Sequence, residues 1–423
     1  MRQLLNSFRQ RKILVNIGAL FSGTAIARIL SAISLLLIAR QLGPDAYGQF
    51  ISCLTLAKLS SVLLSWGLDT WLLRNGRSHK EYSLAQLSST CLELKLKLGL
   101  IWIIGILMLS FFLNHDTFPQ RLLIISALSI WFDEFSNTAW STFKAALKNN
   151  ITIWLMIGSQ ILFLLPTLWF LVGQVQNPYP YMFGRLVASG ISSLIALFLV
   201  ARVIGFKFQH SPSLLILRDT IPFGVSEGLA IIYERADVII VGYLLGKTAV
   251  GFYGPALTLM TTLFIIPRSI YEVMLPVTSE TFSRTPHQII KQAYNIVLAS
   301  TALGIVMSIG MAIIAKPLVW VLYGFEYTLS GDILTLLSPI LILKSVSFSA
   351  ATILTAVGWH NKRVIVQVVA ASLNIILNLT LIQIYGLMGV AYVYILTETV
   401  LMGGYVLYLL IWQHTHRVEL ASS

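Results

Sequence analysis

Charged residues are scarce in this chain. Only 11% of its 423 residues are Asp, Glu, Lys or Arg, where ordinary globular proteins carry about 25% to keep their surfaces wet. So few charges cannot clothe a water-soluble fold of this length, which excludes the soluble enzyme classes. Cysteine is nearly absent. Cys53 and Cys91 both fall in or beside apolar runs, so neither belongs to a disulfide framework. Long polar segments are missing as well. The longest stretches between apolar runs, 74–92 and 276–292, are too short to carry a core of their own.

Hydrocarbon fills the chain instead. Hydrophobic residues make up 57% and the mean hydropathy is +0.81. Residues 13–39, 47–68, 96–113, 121–143, 151–173, 181–201, 217–245, 249–275, 293–315, 332–357, 364–384 and 387–412 are each long enough to cross a bilayer as a helix, at about 20 residues per crossing. The softest edges are at 96–113 and 121–143. Runs this continuous exclude the alternating strands of a barrel, and only helices or barrels satisfy their backbones in lipid. The sequence therefore predicts an all-α integral membrane fold of about twelve transmembrane helices. Residues 1–12 are charged like the start of a signal peptide, but the apolar stretch that follows is too long and lacks a small-residue cleavage site. A retained first span is expected.

Lys and Arg number 29 against 17 Asp and Glu, a net charge of +12. In a soluble protein that excess would suggest nucleic acid. Its placement argues otherwise, and no nucleic-acid partner is expected. With the N-terminus in the cytoplasm, seventeen of the 29 basic residues fall in cytoplasmic stretches, and only Arg40, Arg121, Lys247 and Lys316 fall opposite. This positive-inside bias predicts that both termini are cytoplasmic.

The chain repeats itself. It reads LLLIARQLGPDAYGQF at 35–50 and VIIVGYLLGKTAVGFYG at 238–254; aligning Gly43 with Gly246 aligns Gly48 with Gly251, at an offset of 203. Each stretch reads as a tight turn between the first two helices of a half, because Pro fixes φ and Gly tolerates positive φ. Two parallel six-helix bundles around a central cleft are expected, 1–210 and 211–423. VGYLLGKT superficially resembles a phosphate-binding loop, yet Val241 replaces the required first glycine and no strand precedes it.

Ala39-Arg40-x-Leu42-Gly43-Pro44-x-x-Tyr47-Gly48, Gly67-Leu68-Asp69-Thr70 and Arg74, then Pro222-Phe223-Gly224, Asp237, Gly242, Val250-Gly251-x-Tyr253 and Ala256, resemble the polysaccharide-unit flippases often called Wzx. These scaffold motifs are shared across a superfamily that also holds multidrug exporters and the peptidoglycan-precursor flippase. The resemblance implies a protein of the bacterial cytoplasmic membrane that makes and breaks no bonds. It would move an oligosaccharide on a polyprenyl pyrophosphate to the outer leaflet by alternating access, without cofactor or metal. It also implies polymerase and chain-length proteins as partners. A cation-coupled small-molecule exporter of the same superfamily is the alternative. A membrane glycosyltransferase is disfavoured by short outer loops, where His115 and Asp116 form the only catalytic-type pair.

Eight basic residues lie at membrane depth: Arg28, Lys58, Lys95, Lys97, Arg185, Arg235, Arg268 and Lys344. Each costs about 2.5–3.5 kcal/mol at a helix centre. Lys95, Lys97 and Arg185 lie near predicted ends and are expected to snorkel. Arg28, Lys58, Arg235 and Arg268 are expected to line an internal cavity and bind the anionic head group. Thr24, Arg28 and Ser31 share one helical face, as do Lys58, Ser61, Ser65 and Asp69. Glu227, Glu234, Asp237, Glu272 and Glu398 are the candidate ion-coupling carboxylates. Glu398 has no basic neighbour in its own span.

Overall fold

The structure is a computed structural model that describes residues 2–77, 81–207, 213–284 and 289–415; side chains are described from Ser22 onward, those of 213–215, 272 and 276 excepted. Fourteen helices follow in chain order among the described residues: α1 (Arg2–Ser60), α2 (Val62–Ser65), α3 (Leu68–Asn75), α4 (Leu84–Ser110), α5 (Gln120–Ala145), α6 (Asn149–Val172), α7 (Pro178–Val203), α8 (Ser213–Leu244), α9 (Lys247–Leu263), α10 (Ile265–Arg284), α11 (Ile289–Tyr323), α12 (Thr328–Leu337), α13 (Ile340–Ala356) and α14 (His360–Thr415). α1 and α14 each contain a glycine turn, at Gly43 (φ 70°) and Gly386 (φ 56°). Among the described residues, six helical stretches are long and apolar enough to cross a membrane, or seven if α12 and α13, bent by 45° after a short 3₁₀ turn, are one span. The protein is a multi-pass membrane protein.

Burial runs opposite to that of a soluble protein. Ile101, Phe112, Trp169, Val306 and Ile313 are exposed, while Ser88, Ser126, Thr138, Thr142, Ser345 and Ser349 are buried. Lipid tails are as apolar as leucine, so small residues that let helices approach closely are the better interior. Their hydroxyls return to carbonyls of the preceding turn, as Thr142 does to Thr138 O (2.7 Å) and Ser345 to Leu341 O (2.7 Å).

The chain divides into two compact units: an N-terminal unit of Met1–Arg235 with Gly246–Gly251, and a C-terminal unit of Ala236–Leu245 with Phe252–Ser423. In the N-terminal unit α5 packs on α7, and α1 on α6. Ala139, Phe143, Leu155, Ala196 and Val200 weld α5, α6 and α7. In the C-terminal unit α13 packs on α10, α11 and α14, around Ile289, Ala293, Ile353, Val357 and Trp412.

The repeated motif is real structure. Gly43 and Gly246 both take positive φ, 70° and 84°. A Cβ on Gly48 would lie 1.9 Å from the Lys247 carbonyl oxygen, and one on Gly251 would lie 1.9 Å from that of Pro44. Thr248 donates to Asp45 Oδ1 at 2.5 Å across the same offset of 203 residues. All these residues belong to the N-terminal unit, where the two copies of the motif lie reciprocally against each other. Glycine is required because backbone meets backbone.

Candidate functional site

α4, α5 and α8 are not among the helices apolar enough to cross a membrane on composition. They carry Lys95, Asp133, Glu134, Glu227 and Arg235, which meet Lys58 of α1, Asp69 of α3 and Arg185 of α7 at the site. α4 begins at Leu84, where Ser83 and Gln86 form a capping box. Its start lies about twelve residues before the apolar run, so Lys95 sits about three turns into the helix. That corrects the expectation of snorkelling: Lys95 is fully buried. Its ammonium donates to Asp69 Oδ2 (2.6 Å), Glu134 Oε2 (3.0 Å) and the Glu134 carbonyl (2.9 Å).

Asp69 reaches Lys95 because the chain breaks just before it. Trp66 and Gly67 are both left-handed, at φ 45° and 71°, and α3 restarts with Asp69 in its first turn. The helix N-terminus there favours a negative charge. A Cβ on Gly67 would lie 2.2 Å from the Gly224 nitrogen, so the break also admits the backbone of α8. Thr138 donates to Asp69 Oδ1 at 2.7 Å. Glu134 Oε1 then accepts from Lys58 at 2.9 Å. Two ammonium groups and two carboxylates form one neutral chain across α1, α3, α4 and α5. Such a group tolerates burial because each charge is both paired and hydrogen-bonded.

Two cavities adjoin this chain. The first, about 220 Å³, is lined by Lys58, Ser61, Ser65 and Asp69 together with Glu134, Lys144 and Glu227. The polar stripe read from spacing thus shares one cavity although the helix beneath it is broken. Thr70 donates to Glu227. The second cavity, about 310 Å³, extends toward the Gly43 turn and is lined by Lys58, Asp133, Arg185 and Arg235 among others. Lys58, Asn137 and Trp140 line both.

Arg185 does not snorkel either. It donates to Asp133 Oδ2 at 2.8 Å, with its guanidinium 5.1 Å from the centre of the Phe163 ring. Lys97 is exposed and paired with Glu93 at 2.6 Å.

The other candidates fall apart from this cluster. Arg28 is exposed and is not among the residues lining these two cavities. Glu234 is exposed. In the C-terminal unit, Asp237 is buried and accepts from the Tyr253 hydroxyl, Arg268 is exposed, and the side chain of Glu272 lies outside the described ones. Glu398 is fully buried and has a cation after all: Lys344 of α13, 2.6 Å away. The Lys344 ammonium also lies 5.4 Å from the Phe264 ring centre. Sequence reasoning passed over Asp133 and Glu134. Their signal was available, two adjacent acids in the middle of an apolar run.

The chain matches the family described as polysaccharide biosynthesis protein over residues 37–332. It is 26% identical over 160 residues to the probable low-salt glycan biosynthesis flippase Agl15 of Haloferax volcanii, 38% of this chain and 34% of that one, so it spans about a third of that relative's length. Among solved structures, the lipid II flippase MurJ in its inward closed conformation is similar with a TM-score of 0.70 at 17% identity, over 92% of this chain and 87% of that one. An inward-facing multidrug resistance MATE family transporter of the MOP superfamily gives 0.72 at 15% identity, over 94% and 99%. By name these proteins are flippases and transporters, not enzymes, and the structural likeness is one of fold: an all-helical membrane fold. With the greater part of its length matched, the chain belongs to the polysaccharide biosynthesis protein family.

Proposed function

We propose that the protein is a flippase that carries an oligosaccharide linked to a polyprenyl pyrophosphate from the cytoplasmic to the outer leaflet, by alternating access of two six-helix bundles divided near residue 210. The observation that carries this reading is the cations around the two cavities of the N-terminal unit: Lys58 and Arg235 in their walls, Arg185 beside Asp133 and Lys95 behind Glu134. A phosphate-bearing head group needs such donors on its way through a bilayer, and guanidinium suits it bidentately. Arg28, Lys58 and Arg235 of the N-terminal unit and Arg268 of the C-terminal unit are the head-group ligands in this reading. The polyprenyl tail stays in lipid. No bond changes, so the protein's work is to lower the desolvation cost of the polar head.

The membrane is the bacterial cytoplasmic membrane, with both termini in the cytoplasm and the Gly43 turn outside. Polymerase and chain-length proteins of the same polymer pathway are the expected partners. Glu227 is the strongest candidate for ion coupling, because it lines a cavity and bonds only a neutral hydroxyl among the interactions described. Glu234, Asp237, Glu272 and Glu398 are the other candidates, Glu398 being paired with Lys344.

The test is reconstitution into liposomes holding a polyprenyl-pyrophosphate oligosaccharide, with a membrane-impermeant label reporting when the sugar crosses. Fast crossing with the wild-type protein, lost in Arg28→Ala and Arg268→Ala variants that still fold, supports the reading. Crossing that ignores both substitutions removes the head-group role of these arginines. No crossing under any ion gradient, with uptake of small organic cations instead, favours the exporter.

A further inference from the structure

A cavity of about 870 Å³ lies between α10 and α11 of the C-terminal unit, and among the described residues its walls hold none of the candidate residues named so far. On α11, Lys291, Asn295, Ala299 and Leu303 recur every four residues, which sets them in one stripe along the helix. The opposite face, at Ile289 and Ala293, packs in the core with Ile353 and Trp412. On α10, Ile270, Met274 and Thr281 complete the wall. Lys291, Asn295 and Ala299 are exposed and Ile270, Met274 and Leu303 half-buried, so each keeps open surface.

Polarity changes along the stripe. α10 runs into the 285–288 link and α11 runs out of it, so Thr281, Lys291 and Asn295 lie at the linked end and Ile270, Ala299 and Leu303 deeper. At that end Arg284 is already paired with Glu280, at 3.1 Å, whereas Lys291 forms no ion pair among the described residues. From Lys291 to Leu303 the stripe rises about 18 Å, little more than half of the roughly 30 Å hydrocarbon core. A slot one leaflet deep, apolar below and cationic at its mouth, matches an amphiphile with a negative head. One free ammonium balances the single charge of a phosphodiester; a pyrophosphate carries more charge and calls for several cations. A polyprenyl carrier is also longer than one leaflet, whereas phospholipid acyl chains are matched to it. Basic pockets between helices on the cytoplasmic side suit anionic lipid heads, and the positive-inside reading puts the 285–288 link in the cytoplasm.

We propose that the cavity between α10 and α11 is a binding site for one anionic phospholipid of the cytoplasmic leaflet. Its phosphodiester sits at Lys291 and Asn295, and an acyl chain runs along Ala299, Leu303, Ile270 and Met274. The amide of Asn295 donates to a phosphate oxygen. The lipid is not cargo: it fills a space that side chains leave open and so supports α10 against α11. Its retention is measured without transport, so failure of the flippase reading would leave the site standing.

The test is native mass spectrometry of the full-length protein, stripped of co-purified lipid and titrated with dioleoyl phosphatidylglycerol or dioleoyl phosphatidylcholine. The two lipids share their chains and differ in head charge. The first phosphatidylglycerol should bind about fivefold tighter than phosphatidylcholine, the effect of one basic residue near a membrane surface. Lys291→Ala should erase that preference and Lys291→Arg should keep it. Both variants should fold, because the side chain is exposed and forms no ion pair among the described residues. Ala299→Trp, which fills the apolar part of the slot, should weaken both lipids together, while Lys97→Ala, at an exposed lysine of α4, should change neither. Equal binding of the two lipids to the wild-type protein, or a preference that survives Lys291→Ala, overturns the site. So does a preference lost equally in Lys97→Ala, which would make it a general surface effect. Displacement of phosphatidylglycerol by a lower concentration of undecaprenyl pyrophosphate overturns it as well, and assigns the cavity to the carrier.

Discussion

The two units differ in how they hold charge. In the N-terminal unit Lys58, Asp69, Lys95 and Glu134 form one chain spread over four helices, buried at Lys95 and Glu134 and open to a cavity at Lys58 and Asp69. In the C-terminal unit the Lys344–Glu398 pair is a closed contact between two helices. The cavity beside α10 and α11 there is larger, about 870 Å³, and mixes Ile270, Met274, Ile296 and Leu303 with Lys291, Gln292 and Asn295. The glycine contacts of the N-terminal unit are matters of backbone fit, whereas the charges pair differently in the two units. A charge that serves only packing can be sealed. A charge that meets a substrate must keep a face to a cavity.

The comparison breaks most directly at Glu134. Glu134→Ala leaves Lys58 and Lys95 without their shared acceptor, and removing one member of a buried ion pair costs about 3–5 kcal/mol. The protein should melt far earlier in detergent than wild type or fail to accumulate. An unchanged melting midpoint would mean that the chain is not holding the unit together.

The reciprocal glycine contact comes next. Gly48→Ala puts a Cβ 1.9 Å from a carbonyl oxygen, so backbone must move, at about 1–3 kcal/mol. Gly105 lies mid-helix, and a Cβ there meets nothing within 4 Å. Gly105→Ala should raise stability by about 0.5–1 kcal/mol. Equal melting of the two variants would dismiss the contact.

A smaller effect is expected from replacing both partners of the C-terminal pair. Lys344→Met with Glu398→Leu exchanges a buried ion pair for apolar groups of similar size, which is often neutral or stabilising. The double variant should melt close to wild type, whereas either single substitution should be clearly worse. The smallest effect belongs to Lys97→Ala, which loses an exposed pair with Glu93 one turn away, worth about 0.3–0.5 kcal/mol.

Whatever is periodic or local was legible in the sequence. The helical membrane class, the glycine turns and the 203-residue repeat followed from runs and spacing, and so did the stripe from Lys58 to Asp69. Partnership was not legible. Glu134 is 76 residues from Lys58 and 39 from Lys95, and no spacing rule joins groups on different helices. Lys95 was misplaced for a local reason: the polar first turns of α4, with Gln86, Ser88, Ser89 and Thr90, lower its hydropathy, so the apolar run starts well after the helix does. The Ser83–Gln86 capping box marks the true start. Glu398 looked isolated because its cation comes from α13.

The central claim is that the cations in the cavity walls of the N-terminal unit handle the substrate, whereas the sealed pair of the C-terminal unit serves the fold. The decisive measurement is the rate at which a polyprenyl-pyrophosphate oligosaccharide crosses the bilayer of reconstituted liposomes, compared between Arg235→Ala and the Lys344→Met, Glu398→Leu double variant. Loss of crossing in the first with near wild-type crossing in the second is the result predicted. Crossing that survives Arg235→Ala and disappears in the double variant would contradict the account.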